Sequence, residues 1–186
     1  MSEGAFVVAL VGAESTGKTT LASALGERLA RQGLRTAVVD EALREFCSAR
    51  GRTPRQDEQA AIAALQSTRI AKAARANDVV VADTSALMIA VYSEMVFADT
   101  SLYESALAAQ RRYGLTLVTA LDLPWQADGL QRDGPHVRAP VDASLRSALA
   151  GAGIAFATVA GVGAARVEAA LRLVDAALAA RRRASP

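Results

Sequence analysis

Residues 12–19, Gly-Ala-Glu-Ser-Thr-Gly-Lys-Thr, fit the spacing GxxxxGK(S/T), and their flanks leave the chain few ways to fold. Ahead of them runs Phe6 to Val11, an unbroken apolar segment of the kind a strand buried on both faces needs. Behind them Leu21, Leu25 and Leu29 recur every four residues and mark one face of a helix. A loop joining a buried strand to a helix N-terminus gathers backbone N–H groups and the positive end of the helix dipole around one small volume. Anionic oxygens belong there. Gly12 and Gly17 let the main chain approach a phosphate, Lys18 reaches β- and γ-phosphates, and the Thr19 hydroxyl is a ligand for Mg²⁺. Glu14, Ser15, Thr16 and Thr20 complete the candidate cradle. The expectation is a nucleoside triphosphate site.

Strands and helices alternate along the rest of the chain, which predicts a parallel sheet with ligands beyond the carboxyl ends of its strands. The pattern gives a helix to about 32, closed by Gly33, then a strand from Leu34 to Val39 that ends on Asp40-Glu41. Residues 41–50 read as helical, and Thr53-Pro54 opens a longer helix to about 76, with Asp57 and Glu58 in its first turn. Val79 to Ala82 is a third strand ending on Asp83, an acid placed to hold Mg²⁺ directly or through water. Taken alone, Asp83 would serve as a helix N-cap; beside the loop at 12–19 the metal role is the better reading. Helices at 85–97 and 101–112 precede a fourth strand, Leu115 to Leu121. The stretch 122–138 is polar, bears glycines and has the length of an active-site lid, set at 124–140. A helix at 142–150, a strand from Ile154 to Val159 and a helix at 164–183 complete an α/β fold. It is a P-loop NTPase fold, a five-stranded parallel sheet with helices on both faces and a lid after strand four.

Composition narrows the setting. At 186 residues one domain is expected over 1–186, and 52% hydrophobic with 4% aromatic residues means an aliphatic, alanine-rich core. A net charge of +2 does not call for nucleic acid as a partner. The single cysteine, Cys47, excludes an intramolecular disulfide and suits a reducing cytoplasm; with His136 as the only histidine, the usual zinc ligand sets are out of reach. Neither a signal peptide nor a membrane-spanning run is legible, so a soluble cytoplasmic protein is expected, with homo-oligomerisation left open.

Three segments together carry a resemblance: GAESTGKTTL at 12–21, VVDEALREF at 38–46, and DTSALMIAVYSE at 83–94 with DLPWQADGL at 122–130. The chain resembles the ribosylnicotinamide kinase domain of bifunctional bacterial NAD-biosynthesis proteins and the P-loop kinase-like ATPases around it. That resemblance implies transfer of a phosphoryl group from ATP to the ribose 5′-hydroxyl of nicotinamide riboside. It places Gly12, Gly17, Lys18, Thr19 and Thr20 on ATP and Mg²⁺, and Asp83 on the metal side. Glu41 and Arg44 fall at its Glu-x-x-Arg near the acceptor, and Trp125, Asp128 and Gly129 lead into its lid. The family's arginine directly after Asp-Gly-x is Gln131 here, and Arg132 follows. Either Arg132 or Arg138 is then the lid cation, with the displaced register favouring Arg138. The His-x-Gly-His of the adenylyltransferase half is missing, so a kinase standing alone is implied.

Phosphoryl transfer to a hydroxyl needs a carboxylate near the acceptor, and Glu41 or Asp40 is the candidate, Glu41 being preferred. A pyridinium-bearing acceptor calls for aromatic faces, offered by Trp125 and Tyr92 with Phe46 behind them. His136 reads as an exposed lid residue, and Cys47 as a small buried apolar one. An ATPase-type regulatory module is the alternative to a kinase. A GTPase switch is disfavoured by the lack of an Asn-Lys-x-Asp segment.

Overall fold

The apolar run Phe6–Val11 is the central strand, β1, and every one of its residues is buried. The computed structural model describes residues 4–126 and 134–184. β1 is flanked by β3 (Val79–Asp83) and β4 (Leu115–Thr119), with β2 (Thr36–Val39) and β5 (Ala157–Val159) at the edges. All pairings are parallel, in the order β2-β3-β1-β4-β5. Alternation along β1 feeds two cores. Phe6, Val8 and Leu10 pack with Leu21, Leu25 and Leu29 of α1 (Lys18–Arg31) and with Ala170, Leu171 and Val174 of α7 (Gly163–Ala184). On the other face Val7 meets Ile70 of α3 (Gln56–Ala74). Val11 and Val118 pack there with α2 (Ala42–Arg50), α4 (Ala86–Phe97) and α6 (Arg138–Gly151).

α4 is apolar nearly all round, with every residue from Ala86 to Val91 buried. That composition follows from its place, since α3, α5 (Tyr103–Gln110) and α6 all pack on it. Glu94 on α4 accepts hydrogen bonds from Tyr103 (2.6 Å) and Ser144 (2.8 Å), tying the three helices together.

Several boundaries differ from the sequence pattern. β2 starts at Thr36, because Leu34 packs beneath the sheet and Arg35 is held by Asp78 at 2.6 Å. α3 starts at Gln56, not at Pro54: Glu58 reaches back to the Arg55 N–H at 2.8 Å and fixes the first turn there. β4 ends at Thr119 and β5 is confined to Ala157–Val159. α6 begins at Arg138, four residues before the expected Asp142, after a single 3-10 turn over Pro135–Val137. Pro140 sits in its first turn, where no intrahelical donor is lost. Residues 138–140 therefore belong to a helix and not to a jointed lid.

Candidate functional site

The four carboxyl-side turns after β1, β2, β3 and β4 converge, and the phosphate loop is their centre. Gly12 has φ 148°, and a Cβ there would stand 2.2 Å from Thr119 Oγ1, so the loop can leave the sheet beside β4 only as glycine. Thr16 Oγ1 donates to Ala13 O at 2.7 Å and shares a hydrogen bond with Thr119 Oγ1 at 2.7 Å, which closes the loop on itself and on β4. Lys18 Nζ donates to Ala13 O at 2.8 Å, arching back over the loop.

Thr19 and Asp83 meet from different elements. Thr19 Oγ1 donates to Asp83 Oδ2 at 2.5 Å, while Asp83 is 2% exposed and its Oδ1 is enclosed without a partner among the described residues. A buried carboxylate oxygen with nothing to accept from suits a hard cation. No cluster of three or more His, Cys, Asp or Glu side chains is assembled among the described residues. Two protein oxygens with the remaining positions left to phosphate and water is the habit of Mg²⁺, and Thr19 with Asp83 fits it.

Glu41 is the residue before α2 and faces the same space. Burial raises its carboxyl above the usual range; Lys18 opposes that shift, Asp83 adds to it, and Arg44, 3.5 Å away, opposes it again. Asp40, by contrast, is exposed and lies toward Arg69, outside the cavity. Of the two acids after β2, the structure brings only Glu41 to the site; the strand's alternation turns its neighbour outward.

The loop opens into a cavity of about 1040 Å³ that extends past Glu41 and Arg44 to a chamber walled by α2, α3 and α4. Gly12, Glu14, Ser15, Thr16, Gly17, Lys18, Thr19 and Thr20 line one end. Leu43, Pro54, Met88, Tyr92, Val96 and Phe97 make the far end largely apolar, with Thr53, Arg55, Gln59 and Thr84 among them. Tyr92 is therefore in the cavity as expected. Phe46 packs against the core, with Arg50 and Arg52 stacked 5.8 and 5.5 Å from its ring.

Trp125 lies between Pro124 and Gln126, which both line the cavity. Its indole N–H donates to Glu14 Oε1 at 3.0 Å, and the ring is not among the residues lining the cavity. Beside it the Gln126 N–H donates to Ser15 Oγ at 2.8 Å, and Ser15 holds a left-handed backbone, φ 54°. Two side chains of the phosphate loop thus grip the chain leaving β4. Arg138 is 8% exposed, its Nη1 donates to Leu123 O at 2.9 Å, and it is not among the residues lining the cavity. It braces the start of the segment as found, and the helix that carries it begins there. Asp128, Gly129 and Arg132 lie outside the described residues. His136 is exposed and Cys47 buried, both as read.

Arg166 was missed. It is 4% exposed, and its guanidinium donates to Thr16 O (2.9 Å), Gly161 O (2.9 Å) and Asp122 Oδ1 (3.0 Å). The signal was present: Arg166 stands four and eight residues from Ala170 and Val174, on the buried face of α7. Gln59 was missed too, although it and Gln66 interrupt the buried stripe of Ile62 and Ile70 on α3.

A family profile described as AAA domain matches residues 7–166. Among solved structures, NadR protein in complex with NAD and AMP-PNP superposes with a TM-score of 0.74 at 22% identity. NadR protein in complex with NR superposes at 0.75, again at 22% identity. Each covers 91% of this chain, and the chain spans about half the length of those structures, 48% and 50%. Deoxyadenosine kinase from M. mycoides (0.62, 12% identity) covers 92% of this chain and is itself covered over its full 100%. For thymidylate kinase from Ehrlichia chaffeensis (0.61, 13% identity) the shares are 95% and 100%. The five-stranded parallel sheet is thus that of P-loop nucleoside and nucleotide kinases. No match was found among curated proteins. No helix among the described residues is long and apolar enough to cross a membrane.

Proposed function

We propose, on the premise that this chain belongs to the AAA domain family, that it is an ATP-dependent kinase of a small nucleoside, most closely suited to the ribose 5′-hydroxyl of nicotinamide riboside. The observation that carries the proposal is the one cavity in which the phosphate loop and a largely buried carboxylate, Glu41, face a mostly apolar chamber. A nucleotide-binding switch needs the loop; it has no use for a largely apolar chamber with an acid at its threshold. Support for nicotinamide riboside comes from Glu41-x-x-Arg44 and from Pro124-Trp125-x-x-Asp128-Gly129, together with the shared fold of NadR in complex with NR.

The chain's own groups divide the work. The loop amides and Lys18 bind the β- and γ-phosphates, Lys18 exchanging Ala13 O for phosphate oxygen. Thr19 and Asp83 would hold Mg²⁺, which would supply neutralisation of the charge that builds up in transfer. Glu41 accepts a hydrogen bond from the acceptor hydroxyl, orients it toward the γ-phosphorus and takes its proton late. Burial, which raises its carboxyl, makes it a stronger base than a surface glutamate. Arg132, by its place in sequence, is the cation proposed for the γ-phosphoryl oxygens, since Arg138 is engaged with Leu123. Tyr92 offers a ring to a pyridinium.

ADP release with ATP·Mg²⁺ against a nucleoside panel that includes nicotinamide riboside and uridine tests the reading. Stimulation strongest with nicotinamide riboside is expected. Stimulation by another nucleoside alone would retain the kinase and replace the substrate. Release that no acceptor raises would favour the regulatory module, for which the grip of Glu14 and Ser15 on residues 125–126 supplies a device.

A further inference from the structure

Two buried polar atoms of residues lining the chamber, Gln59 Oε1 and Thr84 Oγ1, have no partner among the described residues, and both stand beside well-satisfied neighbours. α3 buries two glutamines on one face. Gln66 is fully engaged: its Oε1 accepts from Ala42 N at 2.8 Å and its Nε2 donates to Thr84 O at 3.4 Å. Gln59, 5% exposed, has its Oε1 enclosed with no partner among the described residues, although the residue lines the cavity. A buried amide left unpaired is a penalty that a leucine at the same position would not incur. Thr84 repeats the pattern. It is 1% exposed, lines the cavity, and its Oγ1 is likewise enclosed and unpaired. Its φ of 77° is an outlier for a β-branched residue, held by its N–H on Leu10 O (3.0 Å) and by Gln66 on its carbonyl. A left-handed backbone and a hydroxyl without a partner among the described residues coincide at one residue, directly after Asp83.

Their separation is informative. Gln66 touches Thr84, and Gln59 lies seven residues earlier on α3, about 10 Å of helix at 1.5 Å per residue. Met88, Tyr92 and Val96, four residues apart on α4, form the apolar wall beside them. A ligand filling this space is polar at the phosphate end, flat and apolar in the middle, and polar again at its far edge.

We propose that Thr84 and Gln59 are the acceptor-recognition pair: the Thr84 hydroxyl bonds a sugar hydroxyl, and the Gln59 carboxamide turns into the chamber to pair with an amide or lactam edge on the base. A primary amide presents one donor and one acceptor side by side, and an amide-type edge is its complement. This rests on the reading of the chamber as the acceptor site.

The test uses Gln59→Leu and Thr84→Val, both near-isosteric and apolar, against two matched pairs of nucleosides. Nicotinamide riboside and inosine carry the amide edge; pyridinium riboside and purine riboside lack it. Binding is read by calorimetry, transfer by ADP release. Wild type should prefer the amide-bearing member of each pair by about tenfold or more. In Gln59→Leu that preference should shrink to within about twofold, with a raised acceptor KM, a steady KM for ATP and a Tm at or above wild type, because an unpaired buried amide has been removed. Thr84→Val should weaken all four nucleosides by a similar factor. A preference that survives Gln59→Leu overturns the pair, as does a lowered Tm with unchanged acceptor KM. Gln59-dependent binding without ADP release would sustain the pair and sink the kinase. No binding of any nucleoside by wild type would sink both.

Discussion

Lys18, Thr19 and Glu41 make separable demands on the reaction. Lys18→Ala and Thr19→Ala should each lower phosphoryl transfer at least about a hundredfold while circular dichroism shows an unchanged fold, since neither side chain belongs to a core cluster. Near-full activity in folded Lys18→Ala would remove the loop from the mechanism. Glu41→Gln should lower kcat by about 10²–10⁴. Its signature is in the pH profile. Burial raises the Glu41 carboxyl, so the active, ionised form is gained as pH rises through a value above the ordinary carboxylate range. The acidic limb of kcat/KM should lie there in wild type and vanish in Glu41→Gln; an unaltered limb would assign the proton to another group. Arg132→Ala should lower kcat by about a hundredfold or more. Arg138→Ala should instead lower Tm, as its contact with Leu123 O is a brace.

Among the elements, α7 and the α2–α3 connection do more than pack. Arg166 on α7 holds Thr16 O, Gly161 O and Asp122 together, so Arg166→Ala leaves three acceptors unmatched at the loop's base. A loss of about 2–4 kcal/mol in stability with a raised KM for ATP is expected, and an unchanged KM would confine Arg166 to folding. Glu58 accepts from both Arg52 nitrogens at 2.7 Å and from the Arg55 N–H, which sets Thr53, Pro54 and Arg55 against the chamber. The Arg52 bonds hold its carboxyl at about 2, so its contribution is complete above pH 4.5 and fades only as pH falls toward about 2. Glu58→Gln should raise the acceptor KM and leave that for ATP alone. Sequence reading located the phosphate loop, Glu41, Asp83 and Tyr92 because each follows a strand or an apolar period that fixes its direction. Sequence alone does not show that Trp125 bonds Glu14 or that Arg138 bonds Leu123 O, because these partners are distant in sequence and no local pattern announces them. Gln59 and Arg166 were legible in principle, as polar residues at buried helical spacing, and only the fold shows that Arg166 is paired while Gln59 Oε1 has no partner among the described residues.

The whole molecule joins its nucleotide end and its chamber end through one sheet edge, so ligands should stabilise it as a unit. AMP-PNP with Mg²⁺ at 100 times its Kd should add about 2.7 kcal/mol, roughly 5–11 °C in Tm for a domain of this size, and the shift should disappear in Lys18→Ala. A shift that persists in Lys18→Ala would place the nucleotide elsewhere. The chain contains one tryptophan, and its indole N–H is bonded to a carboxylate of the phosphate loop. Emission from an indole depends on the charge and water around it, and here a carboxylate, Glu14, is bonded directly to the indole N–H. The protein therefore carries its own optical reporter at the junction of the loop and the segment after β4. Any nucleotide that draws the two apart will change the colour and intensity of its light, without a label and on the timescale of a stopped-flow mixing experiment.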